Sequence, residues 1–307
     1  MSDKKKFFVE NGYVVYKQLI SQNQISQLLD CFKNFILKNG LYYSQSNHNW
    51  RKTIKDIDEF GLLEKSIEDF TNLFLEPKLS NAGRNILLSK EISSCLVEIS
   101  GLNDDFCMWQ NMFFDKSIGT VDHIDSWYLD TDPMGHLIGV WIALEDIDGR
   151  GGAFHVYPGS HKMKQLEWKN LTHNQFIEWS HKASKKFKKF SAYLKKGNVL
   201  FWHPSLLHGS SNQKAKSYSR KSLTAHYHPI SFKRGGGGEK TDSNSKKYKK
   251  SIYDTMSKMK KYNDLPIYAS DNLQVLKNSA KGLIKYFTGY KNYENSLMQR
   301  DAYNLKN

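Results

Sequence analysis

Residues 197–212 read GNVLFWHPSLLHGSSN, and this stretch decides how the rest of the chain is read. Gly197 and Asn198 punctuate a turn, VLFW (199–202) is a short β-branched and aromatic run, and His203-Pro204-Ser205 turns the chain again before LLHGS (206–210). Apolar runs this short, bounded by turn residues, are strands rather than helices. The same texture extends outward to FCMWQNMFF (106–114), HLIGVWIALEDI (136–147), AFHVY (153–157) and KSLTAHYHP (221–229). Several short strands between Gly, Pro, Asn and Asp turns predict a sandwich or jelly-roll barrel.

The flanks read differently. GYVVYKQLI (12–20) predicts a strand, and SQNQISQLLDCFKNFILKNG (21–40) a helix with Ser21 and Gln24 as a capping box and Gly40 as its stop. Ile25, Leu28, Leu29, Phe32, Ile36 and Leu37 recur at helical spacing. Residues 53–100 read as mainly helical, with Ser89 and Gly101 bounding the last helix. The fold class is therefore mainly β with flanking helices (α+β). Beyond Pro229, RGGGGEKTDSNSKKYKK (234–250) reads as a polar, basic linker, and DNLQVLKNSAKGLIKYFTGY (271–290) as a helix with one apolar face. The expected organisation is a catalytic domain over 1–232 and a helical extension over 233–307.

Composition narrows the function classes. With 39% apolar and 13% aromatic residues the chain can bury a sizeable core. It has no apolar run long enough for a membrane span, and its three dispersed cysteines suit neither a disulfide framework nor a zinc cluster. A cytoplasmic setting is expected. The net charge of +14 would suggest nucleic acid, but it is unevenly spread. Residues 1–161 carry 15 Lys+Arg against 22 Asp+Glu, residues 162–196 carry 10 against 2, and residues 233–307 carry 16 against 7. No stacking platform of interleaved aromatics accompanies the basic tail, so a nucleic-acid partner is not expected. Packing of the terminal helix onto the domain or a partner subunit is the default role, with association with an anionic membrane surface as the alternative.

The chemistry lies in two places. VDHIDSW (121–127) presents His123 and Asp125 as H-x-D, and residues two apart on a strand share a face. His208 follows eighty-five residues later, in LLHGSS. An isolated H-x-D pair is commonplace, but two imidazoles and one carboxylate make a facial triad that leaves half of an octahedral ion open, as Fe(II) oxygen chemistry requires. Arg220, twelve residues beyond His208, offers the planar fork that binds the distal carboxylate of 2-oxoglutarate.

Here the sequence resembles the phytanoyl-CoA dioxygenase (PhyH-like) group of 2-oxoglutarate oxygenases, over about residues 7–230. The resemblance rests on HID (123–125), VWIALEDID (140–148), GGAFHVYPGSHK (151–162), residues 197–212 and SRKSLTAHYHP (219–229). It implies a double-stranded β-helix (jelly-roll, cupin-like) core, with His123, Asp125 and His208 as iron ligands and Arg220 as the 2-oxoglutarate anchor. It implies Trp141 near the co-substrate, Ser210 as a hydrogen-bond partner of the distal carboxylate, and Gln110 in the preceding strand. Oxygen would be the second co-substrate. Relatives that halogenate replace the ligand carboxylate with a small residue; Asp125 is intact, which favours hydroxylation or a related oxidation. The expected substrate is a small, polar metabolite, because DSWYLDTDPMGH (125–136) mixes acidic and aromatic groups. Trp127, Tyr128 and Phe154 are candidates for its wall, and the lysine-rich insertion 163–193 for a lid. The other histidines, His136, His155, His161, His203, His226 and His228, are read as core or turn residues.

Overall fold

A computed structural model describes residues 1–44, 49–73, 75–164, 167–235, 259–262 and 264–270. The chain opens with α1 (Asp3–Asn11), β1 (Tyr13–Tyr16) and α2 (Gln22–Leu37). The antiparallel pair β2 (Leu41–Ser44) and β3 (Asn49–Lys52) and the short β4 (Ile67–Glu68) precede α3 (Pro77–Leu87) and α4 (Lys90–Ser100). Then come β5 (Phe106–Phe114), β6 (Asp130–Asp132), β7 (Ile138–Ala143) and β8 (Phe154–Val156), followed by α5 (His173–Ser184). The last elements are β9 (Phe190–Ser191), β10 (Val199–Trp202), β11 (His208–Ser210), β12 (Ser222–Pro229), β13 (Lys233–Gly235), β14 (Met259–Lys261) and β15 (Tyr268–Ser270).

Two sheets face each other. The larger runs β1-β10-β7-β12-β5-β15-β14, with β4 also paired to β5, and the smaller runs β11-β8-β9. Alternation along the strands divides the larger sheet's side chains between two cores. Val140, Ile142, Phe201, Leu223, Ala225 and Tyr227 point outward into a core shared with the helices. Trp141, Leu200 and Trp202 point inward against Ala153, Phe154, Val156 and Leu206 of the smaller sheet and its flanks. This is the jelly-roll arrangement expected from the short strands.

The helices follow local rules. Ser21 and Gln24 form the full capping box of α2, and Ile25, Leu28, Phe32 and Phe35 are its buried face. Leu37, expected on that face, is 73% exposed, because at about 100° per residue it falls on the opposite side of the helix from Ile25, Leu28, Phe32 and Phe35. Residues 53–100 are less helical than their composition suggests: Thr53–Lys55 and Phe70–Asn72 are 3₁₀ turns, and Ile67–Glu68 is a strand against β5.

The region beyond residue 232 also departs from expectation. β13 pairs with β6, and β15 lies parallel to β5 at Cys107, carrying β14 on its outer edge. Ile267 and Ala269 are buried in the main core, so this part of the tail is sheet. The helix expected over 271–290 and most of the linker lie outside the described residues. Among the described residues no helix is long and apolar enough to cross a membrane.

Candidate metal centre

His123, Asp125 and His208 converge, with their ligand atoms all within 4.8 Å of one another. The strand geometry expected for H-x-D holds only in part. His123 forms an isolated bridge with His208, exchanging two backbone hydrogen bonds of 2.9 Å, and Asp125 already begins a 3₁₀ turn, Asp125–Trp127. Ile124 between them is extended, which keeps both side chains on one side.

Each ligand candidate is oriented by its own neighbourhood. Nδ1 of His123 lies 2.8 Å from the Val121 carbonyl, and Nδ1 of His208 lies 2.8 Å from the Leu206 carbonyl. Each Nδ1 therefore carries the proton and donates it to a carbonyl, leaving the Nε2 lone pairs free. Those Nε2 atoms lie 3.8 and 3.6 Å from Oδ1 of Asp125. Oδ2 of Asp125 turns the other way, accepting the Trp202 indole N–H at 2.8 Å and lying 3.2 Å from Nε2 of His226. Burial alone would raise the Asp125 carboxyl, but His226, His208 and His123 outweigh it and hold the group well below the usual carboxylate range. Burial pushes His208 down to about 3, so the resting pair is a neutral imidazole beside an ionised carboxylate, the protonation state a metal needs.

The larger sheet supplies three rows beneath this cluster. Trp202, Gly139, His226 and Gln110 stand side by side across β10, β7, β12 and β5. Two residues along, about 7 Å, come Leu200, Trp141, Thr224 and Met112, with Glu68 on β4 at the edge. The third row holds Ala143, Ser222 and Phe114. Gly139 is required in the first row, since a Cβ there would lie 2.0 Å from the Trp202 ring that reaches Asp125. Gly209, between His208 and Ser210, is required too: a Cβ would meet Oδ1 of Asp122 and the Thr120 carbonyl at 2.8 Å. Asp122 anchors the H-x-D segment from behind, 2.7 Å from Nε2 of His155 and accepting the Tyr157 hydroxyl at 2.7 Å.

Arg220 stands at the other end of the rows and is 3% exposed. Nη1 donates to Ser222 at 3.0 Å, while Nε is buried without a partner. Its guanidinium lies 5.4 Å from the Phe114 ring and 5.9 Å from the Trp141 ring, between the third and middle rows. The Trp141 indole N–H, also buried, is likewise unpartnered. Among the described residues no carboxylate lies within ion-pair distance of Arg220. Glu145, whose charge favours the cation, is held by the Ser219 hydroxyl and the Lys221 amide. Burial lowers the guanidinium to about 10, so it stays cationic at neutral pH. A buried cation beside orphaned donors is a site built for an anion.

The remaining candidates fall around these two ends. Ser210 shares a strand with His208, and its oxygen accepts the Thr120 N–H at 2.8 Å. Gln110 sits in the metal row, its amide nitrogen 3.2 Å from Nδ1 of His226. Trp127 stacks on Phe176 of α5 at 4.7 Å, and the Tyr128 hydroxyl is 3.1 Å from Nε2 of His173, so α5 packs over the H-x-D turn. Phe154 lies between Trp141, Trp202 and His208. His155, His161 and His228 take structural partners in Asp122, the Val9 carbonyl and Arg234. His136 packs on Phe232, and His203 accepts the Ser205 amide. Trp202, Ser222 and His226 carry much of the site without being legible as site residues. The available signal was the alternation Arg220, Ser222, Thr224, His226 along one strand face.

The peroxisomal phytanoyl-CoA dioxygenase of Rattus norvegicus is 22% identical over 254 residues, 73% of this chain and 67% of the relative. Among solved structures, the non-haem alpha-ketoglutarate-dependent carbocyclase SnoK from nogalamycin biosynthesis superposes with a TM-score of 0.58 at 16% identity, covering 80% of this chain and 91% of that one. EctD from S. alaskensis, solved with bound iron, gives 0.56 at 14% identity, covering 79% and 82%. The family pattern itself matches residues 8–222, which takes in the triad, Arg220 and Ser222, and on that match the chain belongs to the phytanoyl-CoA dioxygenase (PhyH) family.

Proposed function

We propose that this protein is an Fe(II)- and 2-oxoglutarate-dependent oxygenase that oxidises a C–H bond of a small, polar metabolite. The observation that carries the reading is the pairing of one oriented His-Asp-His cluster with one buried arginine that has no carboxylate partner among the described residues. The donor set suits Fe(II), since two imidazoles and one carboxylate are the ligands that such a centre would take from the protein. Iron held there, with 2-oxoglutarate and oxygen as co-substrates, would supply an oxidant for unactivated C–H bonds, with succinate and carbon dioxide as co-products.

The chain's own residues do the rest. His123, His208 and Oδ1 of Asp125 hold the ion, while the Val121 and Leu206 carbonyls fix both imidazoles in the ligating tautomer. Arg220 and Ser222 would bind the distal carboxylate of 2-oxoglutarate, with the unpartnered Trp141 N–H beside them. Trp141, Phe154 and Leu200 make the walls apolar, which excludes water from the reacting end. Helix α5, seated on Trp127 and Tyr128, covers the H-x-D turn and is the candidate lid. The intact Asp125 occupies the place that halogenating relatives leave to a halide, which favours hydroxylation. SnoK, a carbocyclase by its description, has the same fold with another outcome, so the fold does not choose the outcome.

The test is succinate formation from 2-oxoglutarate by the iron-loaded protein. Wild type forms succinate, Asp125→Ala forms none, and Arg220→Ala forms it only at much higher 2-oxoglutarate. Unchanged turnover in Asp125→Ala would remove the reading.

A further inference from the structure

We propose that His226, held in place by Gln110, is a positioning residue that keeps Asp125 bound through a single oxygen and so reserves a metal position for the co-substrate. The proposal rests on the iron-centre reading. A carboxylate beside a metal can offer one oxygen or two, and nothing in an H-x-D motif decides which. If both oxygens of Asp125 bound the ion, the triad would take four of six positions, and a bidentate co-substrate would leave none for oxygen.

The geometry around Oδ2 addresses this choice. Oδ1 faces Nε2 of His123 and of His208, at 3.8 and 3.6 Å. Oδ2 has the Trp202 N–H at 2.8 Å and Nε2 of His226 at 3.2 Å, two donors that together occupy its lone pairs. An oxygen so engaged has to break two charge-assisted bonds in a buried site before it can turn to the metal. Trp202 is fixed by the gap over Gly139, and His226 packs edge-on against it with ring centroids 5.4 Å apart.

His226 acts as a donor only as the tautomer with its proton on Nε2. Gln110 secures that form, because its amide nitrogen lies 3.2 Å from Nδ1 and donates to the lone pair there. This is the reverse of His123 and His208, whose Nδ1 atoms donate to backbone carbonyls. The sheet register fixes the arrangement, with His226 opposite Gln110 on one side and Gly139 on the other. The three histidines around Asp125 thus divide into two that present a lone pair to the ion and one that presents a proton to the carboxylate. His226 is 4% exposed, and among the described residues its polar contacts are with Gln110 and Asp125, so surface placement does not account for its orientation.

The experiment compares wild type, His226→Phe, His226→Gln and Asp125→Ala under anaerobic conditions. Bound Fe(II) is measured by equilibrium dialysis, and 2-oxoglutarate affinity by the visible charge-transfer band of its iron chelate. His226→Phe keeps the ring packing against Trp202 and deletes the donor. It should hold Fe(II) within about tenfold of wild type while 2-oxoglutarate affinity falls roughly 10–100-fold. His226→Gln, with an amide N–H in place of Nε2, should recover most of that loss. If His226→Phe loses iron as completely as Asp125→Ala, His226 is a ligand and the proposal is wrong. If His226→Phe binds both iron and 2-oxoglutarate like wild type, the residue only packs, and the proposal is equally wrong. Absence of iron binding in wild type would instead overturn the iron-centre reading on which the proposal stands.

Discussion

The two ends of the site treat buried polar atoms in opposite ways. At the metal end, Nδ1 of His123, Nδ1 of His208 and Oδ2 of Asp125 all have partners within 3.2 Å. The atoms left over point at one place. At the other end, among the described residues, Arg220 Nε and Trp141 Nε1 are buried with no partner, and the guanidinium meets the neutral Ser222 hydroxyl and two aromatic rings. The first end is finished by the protein, and the second is the end that the proposed co-substrate would finish. A metal pocket is pre-organised because misoriented ligands lose affinity, whereas an anion pocket keeps its cation desolvated so that an incoming carboxylate is strongly favoured.

That contrast can be broken in stages. The largest effect belongs to the metal end: His123→Ala or Asp125→Ala should abolish 2-oxoglutarate turnover and metal retention together, as read by succinate assay and iron analysis. Retained activity in either variant would dissolve the centre. Next comes Arg220→Ala. Loss of a charge-assisted pair worth about 3 kcal/mol should raise the 2-oxoglutarate requirement roughly 100-fold. Because the orphaned cation goes with it, the apoprotein's melting temperature should hold or rise. A large drop would mean that Arg220 holds the fold rather than a ligand.

A third effect concerns a buried acid in the middle row. Glu68 is 4% exposed, and one oxygen accepts the Ser66 hydroxyl. Burial pushes its carboxyl from 4.5 up to about 8. The folded state therefore holds this proton more tightly than the unfolded chain. Its contribution to stability is complete below about pH 4.5 and is lost as pH rises through about 8. Denaturant unfolding across that window should show wild type losing a few kcal/mol relative to Glu68→Gln. Parallel profiles would show that the carboxyl is not buried in solution. The smallest effect is Gly139→Ala, where overpacking against Trp202 should cost about 1–3 kcal/mol. It should also weaken the Trp202 hold on Asp125, seen as a lowered iron affinity; an unchanged affinity would separate Trp202 from the metal end.

How much of this was legible in the sequence follows the same division. The short runs around 197–212 and the turns between them were sufficient for the two-sheet core, because strand length and punctuation are local properties. His123, Asp125, His208 and Arg220 stood out because few residue types can do what they do, and the structure brings the first three to one point. His226, Trp202 and Ser222 did not stand out. Their roles depend on which strands are neighbours and in what register, and alternation shows only that they share a face. Gln110 was singled out from its strand, yet its nearest polar contact is His226, across a strand pair that the sequence does not announce. Residues 53–100 read as mainly helical, but Thr53–Lys55 and Phe70–Asn72 form 3₁₀ turns and Ile67–Glu68 pairs with β5, a tertiary contact that overrides local propensity. The same holds for Met259–Lys261 and Tyr268–Ser270, which lie in a lysine-rich tail yet complete the edge of the larger sheet.

The most direct measurement is an anaerobic titration of the apoprotein, first with Fe(II) and then with 2-oxoglutarate, followed by visible absorption. The account predicts a weak charge-transfer band that saturates at one equivalent of each, is absent in His208→Ala, and needs far more 2-oxoglutarate in Arg220→Ala. Iron binding with no such band would contradict the account, since the cluster would then be a metal site and Arg220 would be waiting for something else.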